Sequence, residues 1–155
     1  MVRTTLLVAH ITCGALGLIV GPLAMTAPKR PGRHPTLGRL YQALVAGLCI
    51  TAIGLVPFRP EVWPLAVIAV LTEAAALGGW WMRVHQPHDW LRHHIALMCG
   101  SYVSFVTAFL VVQYQDALWP WVLPTLVATP LITRASLRHR LPRAIVEVEA
   151  KATDH

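Results

Sequence analysis

Residues 62–82 read VWPLAVIAVLTEAAALGGWWM, 21 positions among which Glu73 alone is charged. A helix needs about 20 apolar residues to cross a hydrocarbon core of about 30 Å, so this stretch is long enough to span a bilayer. Three runs of the same character flank it, at Thr5–Ala27, Leu37–Phe58 and His94–Gln113. A fifth, Leu118–Thr133, has only 16 residues and contains Pro120, Pro124 and Pro130. As a helix it rises about 24 Å, slightly short of the core.

The 155-residue chain as a whole has the same balance, with 55% hydrophobic and 13% charged residues and a mean hydropathy of +0.55. The charged share is about half that of soluble domains. The apolar content excludes a disordered chain. Three cysteines, an odd number without paired spacing, exclude a disulfide scaffold. The expected fold is all-α: an integral membrane bundle of five transmembrane helices over residues 1–133, followed by a basic tail over 134–155. The first apolar run exceeds the roughly 7–15 residues of a signal-peptide core and is read as a retained helix.

Loop charge orients this bundle. With five spans, Lys29, Arg30, Arg33, Arg39, Arg83, Arg92, Arg134, Arg138, Arg140, Arg143 and Lys151 share one side, which leaves only Arg3 and Arg59 on the other. The positive-inside rule then places the amino terminus outside and the carboxyl terminus in the cytoplasm. With four spans, the Lys29–Arg39 cluster and the basic tail would fall on opposite sides. The net charge of +6 caps apolar helices and builds no folded basic face. Membrane lipid is therefore the expected partner, nucleic acid is not, and the location is the cell membrane, crossed several times.

Polar residues inside apolar runs are the candidates for function. His10, Gly14, Gly17 and Gly21 follow spacings of 4, 3 and 4 and form one helix stripe. Gly17 and Gly21 make a small-xxx-small pair, which lets another helix approach closely. Glu73 sits near the middle of its run, where a carboxyl must be protonated or paired. Its expected partners are His10 or the hydroxyls of Thr12, Thr51 or Tyr102. His94 leads a stripe through Met98, Ser101, Phe105 and Ala108, with Tyr102 off it.

Five histidines gather at the cytoplasmic rim: His34, His85, His88, His93 and His94. Their spacing is not a metal signature, and Cys13, Cys49 and Cys99 read as small apolar fillers. His93 and His94 diverge by about 100°, so at most one faces the bundle. A bis-histidine haem b would have to use His93 or His94 with His34, His85 or His88. His10 lies about 20 Å from His94 along the membrane normal and cannot share one iron with it.

Several of these residues also form a pattern: His10 with Gly21-Pro22, then Lys29-Arg30-Pro31-Gly32-Arg33-His34-Pro35-Thr36-Leu37-Gly38-Arg39-Leu40-Tyr41, then His94 with Gly100-Ser101-Tyr102 and Thr107-Ala108-Phe109, and finally Trp119-Pro120-Trp121 with Leu123-Pro124. Over residues 5–133 the chain resembles the small bacterial membrane-protein family called domain of unknown function 2306. Pro35 departs from it, since many relatives carry Arg after the loop histidine. The resemblance implies a membrane bundle, singles out His10, His34, Gly38, Tyr41, His94, Ser101 and Tyr102, sets Arg39 within the loop motif, and brings no activity with it.

Three functions remain open. In the first, the glycine face docks another membrane protein or a second copy, and the role is structural or in assembly. In the second, the histidines hold haem or a quinone in a redox protein. In the third, Glu73 serves a proton-coupled carrier of small solutes. No enzyme activity is assigned.

Overall fold

The computed structural model describes residues 1–29 and 32–138. Five α-helices follow one another: α1 Val2–Thr26, α2 Arg33–Leu55, α3 Trp63–His85, α4 Trp90–Gln113 and α5 Trp119–Arg138. Two single 3-10 turns, Val56–Phe58 and Pro60–Val62, join α2 to α3, and no strand occurs among the described residues. Four helices are long and apolar enough to cross a membrane: α1, α4, and α2 and α3 together with their adjoining turns. The fifth is helical but does not belong to that group. It contains Pro124, Pro130 and Arg134, and it runs through the 133/134 boundary to Arg138. Arg30 and the tail residues Arg140, Arg143 and Lys151 lie outside the described residues.

Each helix outreaches its apolar run at one end: α1, α2 and α4 begin earlier, and α3 and α5 end later. The chain turns at Gly32 with φ +117°, a conformation that only glycine adopts without strain. Pro35 then falls in the first turn of α2, where a missing N–H costs nothing. His34–Thr36, expected in the connection ahead of the Leu37–Phe58 run, is therefore helical, and α2 carries the whole motif stretch to Tyr41. Between α3 and α4, Gln86 and Asp89 both adopt the left-handed conformation and make the turn tight.

Packing follows from short connections: α1 lies on α2, α3 on α4 and α5 on α4, with a lighter seam between α2 and α3 and a narrow touch between α1 and α4. Small residues set the close approaches. A Cβ at Gly47 would lie 3.0 Å from the Cys13 sulfur, and one at Gly79 would lie 2.8 Å from Met98. Inside are Val45, Ala76, Tyr41, Thr72 and Ser101, whereas Leu7, Ile19, Ile50, Leu71 and Val112 point outward and are exposed. This reverses the arrangement of a soluble bundle.

Candidate functional site

Two prolines leave carbonyls of α1 open, and two side chains from other elements take them. Pro22 has no N–H to give the Leu18 carbonyl one turn earlier. The Tyr102 hydroxyl donates to that oxygen at 3.1 Å. Gly21 makes the approach possible, since a Cβ there would sit 2.5 Å from the Tyr102 ring. At the end of α1, Pro28 likewise has no N–H for the Ala24 carbonyl. His34 Nδ1 donates to it at 2.8 Å, and Lys29 Nζ reaches it at 3.3 Å.

His34 then meets His94. Their ring centroids are 6.5 Å apart with planes at 80°, and His94 Nδ1 donates to the Gly79 carbonyl at 2.7 Å. A carbonyl oxygen only accepts, so both rings carry hydrogen on Nδ1. In the neutral form, such an imidazole keeps its lone pair on Nε2. Metal-bound histidines have this arrangement, with the other ring N–H tied to a carbonyl. Trp90 lies 6.2 Å from His94, with the Arg83 guanidinium 5.5 Å from the Trp90 centroid. Lys29 and Arg83 are within electrostatic range of His94. Partial burial pulls the Lys29 ammonium below the usual lysine range, opposed by the neighbouring Cys99.

The other rim histidines do not join the pair. His85 stacks on Trp81 at 4.6 Å and bonds its carbonyl. His93, expected as a possible ligand, is exposed and bonds the Asp89 carbonyl of its own first turn at 3.0 Å. His88 lies at the surface, 3.7 Å from the Asp89 carboxylate. Among the described residues no group of three or more His, Cys, Asp or Glu side chains could hold a metal ion. Two imidazoles are what the rim offers.

His10 faces α2, where Nδ1 lies 3.1 Å from the Thr51 hydroxyl and 3.2 Å from the Leu48 carbonyl. Glu73 meets none of its expected partners. Thr12 bonds Val8, Thr51 bonds Gly47, Tyr102 bonds Leu18, and His10 is held by α2. The residue that reaches Glu73 is Gln42, whose Nε2 donates to Oε1 at 3.0 Å. Gln42 was visible as an uncharged polar residue inside an apolar run, a signal weaker than charge and for that reason missed.

Near the centre, Tyr41 and Ser101 hydroxyls lie 3.1 Å apart, and Ser101 also donates to the Met98 carbonyl. The glycine stripe is filled from within the chain: Gly14 faces Leu48, Gly17 faces Phe105 at 2.9 Å and Gly21 faces Tyr102. The stripe therefore packs α1 against α2 and α4 within the chain. Gly38 has open space where a Cβ would stand, and Arg39 is exposed. No family model, no curated protein and no solved structure matches the chain.

Proposed function

We propose that the chain is a multi-pass membrane protein that holds a metal centre, haem b foremost, on the Nε2 atoms of His34 and His94. The observation that carries this reading is the matched pair of imidazoles, each with Nδ1–H bound to a backbone carbonyl. Imidazole nitrogens bind metals at about 2.0–2.1 Å, so two rings with centroids roughly 6 Å apart would be near enough to hold one metal. The observed separation is 6.5 Å. Lys29 and Arg83 beside the pair suit the two propionates of a haem. Two lone pairs accept hydrogen bonds from a quinol but repel the carbonyl oxygens of an oxidised quinone, so the chemistry favours a metal.

Membrane insertion is supported by the four apolar helices and by the tryptophans. All six lie near helix ends: Trp63, Trp119 and Trp121 at one end of the bundle, and Trp80, Trp81 and Trp90 at the other. Interfacial belts have this distribution. Trp119 and Trp121 stand at the same end as Trp63, which supports α5 starting at that interface, and loop charge supports a fifth crossing with an external amino terminus. The placement beside the domain of unknown function 2306 rests on the motif residues alone.

The test is a visible spectrum of detergent-purified protein from haem-supplied cells, oxidised and then reduced with dithionite, with metal analysis of the same sample. A Soret band that shifts on reduction and disappears in His94→Ala is the expected result. A colourless, metal-free preparation overturns the reading.

A further inference from the structure

We infer that Glu73 holds a proton at neutral pH and forms a two-hydrogen-bond acid–amide pair with Gln42, a proton-binding site that joins α2 to α3. One of the two bonds is present, from Gln42 Nε2 to Glu73 Oε1 at 3.0 Å. The remaining polar atoms of both side chains, Gln42 Oε1 and Glu73 Oε2, are buried without a partner. If Glu73 were ionised, both would be acceptors and neither could satisfy the other. A single proton on Oε2 makes it a donor to the amide oxygen and satisfies both atoms at once. Turning the amide over does not remove the need, because its oxygen would then face a carboxylate oxygen at the same 3.0 Å.

Among the described residues no cation neutralises the carboxylate. Among the described residues the ion pairs are Arg59–Glu61 and His88–Asp89. From α2, the Cys49 thiol interacts electrostatically with Glu73 but donates to the Ala69 carbonyl, and Tyr41 bonds Ser101. From α4, His94 bonds Gly79, Tyr102 bonds Leu18, His93 bonds Asp89, and Cys99 interacts with Lys29. On α3 itself, Thr72 donates to the Ile68 carbonyl. Loss of the proton leaves an ionised group at mid-helix and removes one bond from the lighter α2–α3 seam, so that deprotonation loosens this pair of helices. The inference uses no residue of the histidine pair and stands apart from it.

The experiment is infrared spectroscopy of the full chain in lipid, in light and heavy water, on the native protein and Glu73→Gln. The glutamine variant keeps two amide–amide bonds and needs no proton. The native protein is expected to show a deuterium-sensitive carboxylic-acid carbonyl band at neutral pH that Glu73→Gln lacks. A second readout needs no variant: dicyclohexylcarbodiimide, which attacks protonated carboxyls in apolar surroundings, is expected to label Glu73 less as the pH rises, mapped by mass spectrometry. A carboxylate band at neutral pH that Glu73→Gln removes would overturn the inference, as would labelling at Glu73 that does not fall with rising pH.

Discussion

His10 and the His34–His94 pair share the same tautomer but stand in different company. All three rings place Nδ1 against a backbone carbonyl: Leu48 for His10, Ala24 for His34 and Gly79 for His94. His10 has a second partner at the same nitrogen, the Thr51 hydroxyl, and no imidazole beside it. Its bonds join α1 to α2 and nothing more. His34 and His94 come from two elements and face each other, with cations beside them. One buried histidine in a bundle reads as a helix tie, whereas the His34–His94 pair is the arrangement on which the proposed centre rests.

Breaking the pair gives the largest contrast. His34→Ala and His94→Ala are each expected to abolish the metal-linked absorbance, while His10→Ala keeps it at full intensity, all read on purified protein. Equal loss from all three would erase the distinction between tie and site.

Next in size is the glycine stripe that seats both regions. Gly21→Ala sets a methyl 2.5 Å from the Tyr102 ring and is expected to cost about 1–3 kcal/mol, as overpacking does. Gly14→Ala meets Leu48 at 3.4 Å, ordinary contact, and is expected to change stability little. Denaturant titration in detergent measures both, and a Gly21→Ala/Tyr102→Ala double variant is expected to recover part of the loss.

The smallest effects come from single hydrogen bonds. Tyr102→Phe leaves the Leu18 carbonyl without a donor, because Pro22 supplies none, and is expected to cost about 1–2 kcal/mol. Thr51→Val leaves His10 its bond to Leu48 and is expected to cost about 0.6 kcal/mol. The same titration ranks the two, and the reverse order would count against the proline argument.

Much of the fold was open to reading because apolar runs report helix length directly. The runs at Thr5–Ala27 and Val62–Met82 became α1 and α3, with α1 starting three residues earlier and α3 ending three residues later. The extra turns escaped because Arg33, His34 and Arg83 are polar, and hydropathy does not record caps. Of the site, the choice of His34 with His94 was one among several rim pairings, and the glycine stripe was recognised as a packing face. What fills that stripe was not readable. Phe105 and Tyr102 are more than 80 residues from Gly17 and Gly21, and nothing local announces that they meet. The position of Glu73 calls for a partner; histidine and hydroxyls are the expected ones, and the Gln42 amide supplies it.

Five helices, four of them long and apolar enough to cross a membrane, follow from residue order alone, together with their breaks. They do so because run length, proline and glycine act within one or two turns of chain. Helix packing, in contrast, closes Tyr102 on Leu18, brings Gln42 to Glu73 and sets His34 beside His94. Those meetings depend on how far each helix is rotated and slid against its neighbour. With roughly 100° between successive side chains, an error of one residue points every one of them elsewhere.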